Sequence, residues 1–174
     1  YIGAAQLFAA RIDNAMIKPQ AFTARSSRMA RIKIEMPDNY SFTTTLTVRI
    51  NDINYGGHLG NEAVLAYIQE ARMRFLHYHH YTELDVEGSG IIMTDSAIIY
   101  RGECFYADIL QIDICVKDFN KYGCDFYYLI TNKKTAVEIV HAKTGIVFFD
   151  YQVRKITEVP SEFKSAIERE TGQK

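Results

Sequence analysis

The sequence predicts an α+β domain in which one long central helix is wrapped by a curved antiparallel sheet. Three observations carry this. A stretch of strict apolar alternation ends near residue 50, one amphipathic helix pattern begins near residue 61, and nearly everything after residue 90 has the two-residue period of strands. Helix and sheet each have one apolar side, and packing those sides together is the stable layout for such an order.

The first strand is expected over Ser41 to Ile50, with Leu46, Val48 and Ile50 on the buried face and Thr45, Thr47 and Arg49 opposite. If extended geometry persists two steps further, Asp52 and Asn54 share the parity of the buried residues. Gly56, Gly57 and Gly60 then mark a turn, with Gly60 or Asn61 as the helix N-cap. Val64, Ile68, Ala71 and Phe75 recur at helical spacing, flanked by Leu65 and Leu76, and predict a four-turn helix. Its N-terminus sits beside acid, amide and imidazole side chains, where unpaired backbone N–H groups stabilise negative charge.

Beyond a polar linker around Tyr78 to Gly90 come strand-like segments. These are Gly90 to Tyr100, Leu110 to Lys117, Cys124 to Thr131, Ala136 to His141, and Ile146 to Arg154, with a hairpin turn at Asn120 to Gly123 and a break at Lys143-Thr-Gly145. Pro160 opens a short polar C-terminal helix. The expected organisation is an extension over 1–35, the main domain over 36–158 and a helical tail over 159–174. A single sheet around one helix leaves an edge and a face uncovered, so a homodimer or homotetramer is expected.

Composition narrows the function. With 174 residues and 48% hydrophobic content the chain suits one domain with a real core. A formal net charge of -1 provides no basic field for nucleic acid. No apolar run approaches the roughly 20 residues of a membrane-spanning helix. Cys104, Cys115 and Cys124, odd in number and without a C-x-x-C, read as reduced thiols and suggest a cytoplasmic protein. The first 28 residues, with Arg11, Lys18, Arg25 and Arg28 against Asp13, read as an upstream extension, with an organelle-targeting remnant as the alternative. Met29 is a natural start for the main domain. His77, His79 and His80 lack a matching acid or cysteine cluster, so neither a metal nor a cofactor is expected.

The segment Asp52-Ile-Asn-Tyr-Gly-Gly-His-Leu-Gly-Asn61, followed by Tyr67 and Glu70-Ala-Arg72, resembles the 4-hydroxybenzoyl-CoA thioesterase-like branch of the hot dog superfamily. The resemblance covers about residues 41 to 156. It implies the hot dog fold and hydrolysis of acyl-CoA, or less often acyl-carrier-protein, thioesters. Many members carry a catalytic Asp where this chain has Asn54, and an amide is neither nucleophile nor base at neutral pH. The pattern is also similar to plant-type acyl-carrier-protein thioesterases of the superfamily, though their spacing to the His is shorter. By that resemblance Asp52 is the carboxylate, Asn54 orients water or substrate, and His58 polarises the carbonyl, with Glu62 and Glu70 in reserve.

Thioester hydrolysis also needs donors for the oxyanion, and the backbone N–H groups of Gly57, His58 and Leu59 are the candidates. The acyl chain would lie near Tyr67, Phe75 or Tyr100, with Tyr67, Glu70 and Arg101 as substrate-binding residues. Arg101, Lys117, Lys121, Lys133 and Lys134 are candidates for the CoA phosphates, or a solvated face. The blander roles are an Asp52 that caps the turn, a His58 that bonds backbone carbonyls, and a surface pairing of Glu70 with Arg72. A catalytically silent hot dog protein that binds an acyl thioester or a partner chain is the second functional class. A hot dog dehydratase is a third, for which the sequence shows no signature.

Overall fold

The computed structural model describes residues 31–171. Most of the extension expected over 1–35, and the last three residues of the tail, lie outside the described residues. The elements run β1 (Phe42–Thr47), a 3-10 turn (Ile50–Asp52), α1 (Asn61–Tyr78), β2 (Gly90–Tyr100), β3 (Ile109–Lys117), β4 (Gly123–Asn132), β5 (Glu138–Asp150), β6 (Lys155–Ile156) and α2 (Ser161–Thr171). All pairings are antiparallel, and the strands lie in the order β1-β3-β4-β5-β2, with the short β6 pairing to β5.

α1 lies on one face of this curved sheet. Val64, Tyr67, Ile68, Ala71, Arg72, Phe75 and Leu76 are buried, the wide stripe expected of a core helix. The sheet answers with Leu110, Ile112 and Ile114 of β3, Phe126 and Tyr128 of β4, and Phe148 of β5, all fully buried. Phe75 meets Phe126 edge to face at 5.4 Å, the preferred geometry for an aromatic pair. Ala71 lets the helix approach closely, because nothing beyond Cβ intervenes.

Several expectations are corrected. The first strand ends at Thr47, and the backbone turns over Ile50–Asp52, closed by Asp52 N–H to Arg49 O at 3.1 Å. Strand parity therefore stops at Val48, and Ile50 is 64% exposed. Leu65 faces solvent, and the helix has 18 residues, about five turns where four were expected. The break expected at Lys143-Thr-Gly145 is absent, since β5 runs unbroken for 13 residues. Thr144 is buried on the strand with its hydroxyl 3.1 Å from the Tyr128 hydroxyl, and Lys143 pairs with Asp125 across to β4. Polar residues that find partners do not end a strand. The C-terminal helix is only polar on one side, because Phe163 and Ile167 are fully buried.

Candidate active site

The turn between β1 and α1 is a closed hydrogen-bonded unit. Ile53 and Leu59 bridge across it, Asn54 N–H donates to His58 O at 2.9 Å, and Gly57 N–H donates to Asn54 O at 3.0 Å. Gly57 sits at φ 81, where a side chain would be strained. Asn54 Oδ1 accepts the Gly56 N–H at 2.8 Å, an Asx turn. That leaves Asn54 Nδ2 facing His58 Nδ1 at 3.3 Å. In this arrangement Nδ1 accepts and the ring proton sits on Nε2, as assigned from the network. His58 Nδ1 also lies 3.3 Å from Leu59 O, a contact that is no hydrogen bond in that tautomer.

The backbone donors divide into two groups. Gly57 N–H is spent on Asn54 O, and Leu59 N–H donates to Cys104 O at 2.9 Å. Gly60 N–H donates to Asp52 O at 2.8 Å, which ties the 3-10 turn to the helix N-cap. Two of the three expected oxyanion donors, Gly57 and Leu59, are thus already engaged. Among the described residues, the N–H groups of His58, Asn61 and Glu62 make no hydrogen bond, and the last two are the open end of α1.

Asp52 does not reach its position through strand parity but through the turn, and its side chain is 10% exposed. Oδ2 accepts from Tyr67 Oη at 2.6 Å and from Arg49 Nε at 2.9 Å, and Oδ1 accepts from the second Arg49 nitrogen at 3.2 Å. The Arg49 hydrogen bonds hold its carboxyl below the usual Asp value, outweighing its partial burial, and Tyr67 adds to them. The Tyr67 hydroxyl is pushed up, first by burial and then by donating to Asp52. A carboxylate so stabilised is a weak base.

A cavity of about 130 Å³ opens beside the helix start. His58, Asn61, Tyr100 and Glu103 contribute its polar wall, with Val64 and Ile139 among its apolar residues. Asp52 does not line it. Tyr100 Oη donates to Asn61 O at 3.1 Å and so closes one side. Cys104 also lines the cavity, but burial pushes its thiol up to about 11, so it stays protonated at neutral pH. Glu62 has its carboxylate folded over Gly60, where a Cβ would collide with it.

The other predicted residues lie elsewhere. Tyr67 and Glu70 border a separate groove of about 450 Å³ between β1 and α1, together with Thr47, Arg49 and Met73. Glu70 pairs with Arg74 at 2.8 Å and not with Arg72. Arg72 is buried and its Nη2 reaches Glu83 at 2.7 Å. Arg101 is exposed, 3.8 Å from Glu138, next to the cavity wall at Gly102. No group of three or more His, Cys, Asp or Glu among the described residues is placed to hold a metal. Sequence reading missed Glu103 and Cys104, which the loop after β2 carries to the helix start. No motif signals them.

A profile of the thioesterase-like superfamily matches residues 48–167. The chain belongs to this superfamily. Solved structures agree on a hot dog fold. One is a 1,4-dihydroxy-2-naphthoyl-CoA thioesterase from Synechocystis, 19% identical over 72% of this chain and 94% of its own, with a TM-score of 0.66. A thioesterase superfamily protein from Jannaschia is 18% identical, covers 78% of this chain and 86% of its own, and has a TM-score of 0.70. A Staphylococcus aureus protein solved with CoA is 14% identical over 82% of this chain and 90% of its own, at a TM-score of 0.69. No curated protein matches the sequence. No described helix is long and apolar enough to cross a membrane.

Proposed function

We propose that this superfamily member hydrolyses acyl-CoA thioesters in the cavity at the start of α1. The observation that supports this most is the convergence of His58, Asn61 with its unbonded N–H, and the acidic residue Glu103 at one cavity. The thioester carbonyl oxygen points at the helix N-terminus, where the amides and the helix dipole stabilise the oxyanion. His58 donates from Nε2 to the same oxygen. Glu103, on the cavity wall, takes the proton of the attacking water. The tetrahedral intermediate collapses by breaking the C–S bond, Glu103 returns its proton to the departing sulfur, and CoA leaves as the thiol.

This reading changes the role that the motif suggests for Asp52. Its oxygens are bound by Arg49 and Tyr67, so it acts as a positioning residue that fixes the turn against α1. Asn54 holds the His58 ring. Glu62 shields the helix end until substrate displaces it. A homodimer across the β2 edge belongs to the same reading. β2 carries eleven residues and pairs on one side with β5, and it exposes Met93 and Tyr100. A second copy there would pack against Tyr100 at the cavity wall.

The test is thiol release from acetyl-, octanoyl-, palmitoyl- and benzoyl-CoA by wild type, Glu103→Gln, His58→Ala and Asp52→Asn. Loss of 100-fold or more in kcat for Glu103→Gln, with Asp52→Asn losing only about tenfold, supports the assignment. A wild type that binds CoA but releases no thiol from any of the four supports the silent binding protein instead.

A further inference from the structure

The polar and apolar walls of the cavity at the start of α1 lie at different depths. Asn61, Tyr100 and Glu103 are exposed and form its mouth. Leu59, Val64, Cys104, Ile139 and Val140 are at most 7% exposed and form its floor. From this geometry we infer that the cavity admits only short aliphatic acyl groups, of about two to four carbons, with Val64 and Ile139 setting the limit. The inference rests on the thioester reading above.

The whole cavity measures about 130 Å³. An apolar cavity of about 150 Å³ holds one benzene ring. Here the same space must also take the thioester carbonyl, because the reacting carbon has to lie within reach of His58 and Glu103. What remains for the acyl tail is smaller than a benzene ring. Aryl acyl groups, which the resemblance to 4-hydroxybenzoyl-CoA thioesterases suggests, do not fit.

The floor has no room to deepen, because its residues belong to the hydrophobic core and the packed interior lies behind them. A β-bulge fixes two of them. Ile130 of β4 faces Val140 of β5 and Thr131 faces Glu138, which leaves Ile139 as an extra residue. In a regular strand Ile139 and Val140 would point to opposite faces. A bulge re-aims a side chain, and here both residues line the cavity. The Ile139 carbonyl accepts the N–H groups of Arg101 at 2.8 Å and Gly102 at 3.3 Å, which pins the bulge to the loop that carries Glu103. Val64 closes the floor from the first turn of α1. A longer chain would have to turn back through the mouth and strip water from the Glu103 carboxylate. A second copy at the β2 edge alters the mouth and leaves the floor as it is.

The experiment measures kcat/KM for acetyl-, butyryl-, hexanoyl-, octanoyl- and benzoyl-CoA on wild type, Val64→Ala and Ile139→Ala. Calorimetry of S-ethyl-, S-butyl- and S-octyl-CoA thioethers runs alongside and reads the cavity without turnover. A methylene that a pocket does not accommodate costs about tenfold or more. Wild type should therefore lose at least about tenfold in kcat/KM between butyryl- and hexanoyl-CoA, and as much between butyryl- and benzoyl-CoA. Each variant removes methyl groups from the floor and should raise hexanoyl-CoA about tenfold relative to butyryl-CoA. Thioether affinity should rise from S-ethyl to S-butyl, and S-octyl-CoA should bind no more tightly than CoA itself. A wild-type kcat/KM that holds or rises from butyryl- to octanoyl-CoA overturns the inference, as does benzoyl-CoA turned over as well as butyryl-CoA. Both variants alter the core, so the wild-type length profile decides alone if neither folds. Hydrolysis without a length break leaves the thioesterase reading intact and removes this one. A length break in thioether affinity without hydrolysis of any thioester does the reverse.

Discussion

The Tyr67 hydroxyl, on the second turn of α1, donates to Asp52 Oδ2 at 2.6 Å and so fastens the loop that carries the motif to the helix whose open N-terminus is the proposed oxyanion site. A hydrogen bond to a charged group contributes about 1.5–3 kcal/mol. Tyr67→Phe and Asp52→Asn should each destabilise the fold, and the double-mutant cycle should show a coupling of about 1–2 kcal/mol. Activity of either variant should fall roughly tenfold, far less than for Glu103→Gln. The sign with pH comes from the depressed Asp52 value. The stabilisation is fully present above the unfolded carboxyl value and is lost as pH falls through the lower folded value. Chemical denaturation of wild type and Asp52→Asn between pH 7 and pH 2 checks this, and parallel curves would refute it.

Much of this architecture is legible in the sequence because periodicity reports burial. The 3.6-residue recurrence of Val64, Ile68, Ala71 and Phe75 and the two-residue alternation of Leu110, Ile112 and Ile114 each mark an element whose side faces the common core. Three features escape that logic. Ile50 continues the alternation in sequence, but the backbone turns before it, and hydropathy carries no sign of a turn made of Ile-Asn-Asp. Lys143-Thr-Gly145 has loop composition, but its polar groups meet Asp125 and Tyr128 across the sheet. Arg72 sits where a surface pair with Glu70 is the local option, and its partner Glu83 lies eleven residues away. The site divides in the same way. The turn and helix start are contiguous and readable, whereas Glu103 joins them only through the path of the loop after β2.

α2 is a structural part of the domain. Phe163 is fully buried, with its ring 5.6 Å from Phe148 of the sheet and 5.8 Å from Tyr81 beyond α1. Phe163→Ala removes the ring and leaves a cavity, a change that costs about 3–5 kcal/mol in a well-packed core. Urea unfolding should show that loss in a single cooperative transition. A variant as stable as wild type would mean that α2 is dispensable.

Arg72 joins α1 to the loop before β2. Its Nε and Nη2 reach Glu83, while Nη1 is buried without a hydrogen bond among the described residues. Removing one partner of a buried ion pair costs about 3–5 kcal/mol, because the other charge loses its compensation. The Glu83 side chain is partly exposed, so Arg72→Ala should fall at the lower end of that range. Arg72→Met keeps the bulk of the side chain and should recover part of the loss. Equal destabilisation by both variants, measured by urea titration, would show that the charge matters and the packing does not.

His79 caps α1 and makes the stability of the domain sensitive to mild acid. Its side chain is 9% exposed, packs on the Phe75 and Tyr78 rings, and has Nε2 3.5 Å from Glu170 of α2. Burial lowers its pKa below the usual imidazole value, Glu170 opposes that shift, and the neighbouring His80 reinforces it. The unfolded chain takes up a proton near pH 6.5, while the folded protein resists until lower pH. Within that window the unfolded state binds more protons, so stability falls as pH falls, by about 1.4 kcal/mol for each unit of separation. His79→Gln removes the titration. The difference in Tm between wild type and variant should shift against wild type between pH 7 and pH 5, by roughly 3 °C for each kcal/mol. A difference that stays constant across that range would show that the His79 imidazole titrates alike in the folded and unfolded chain.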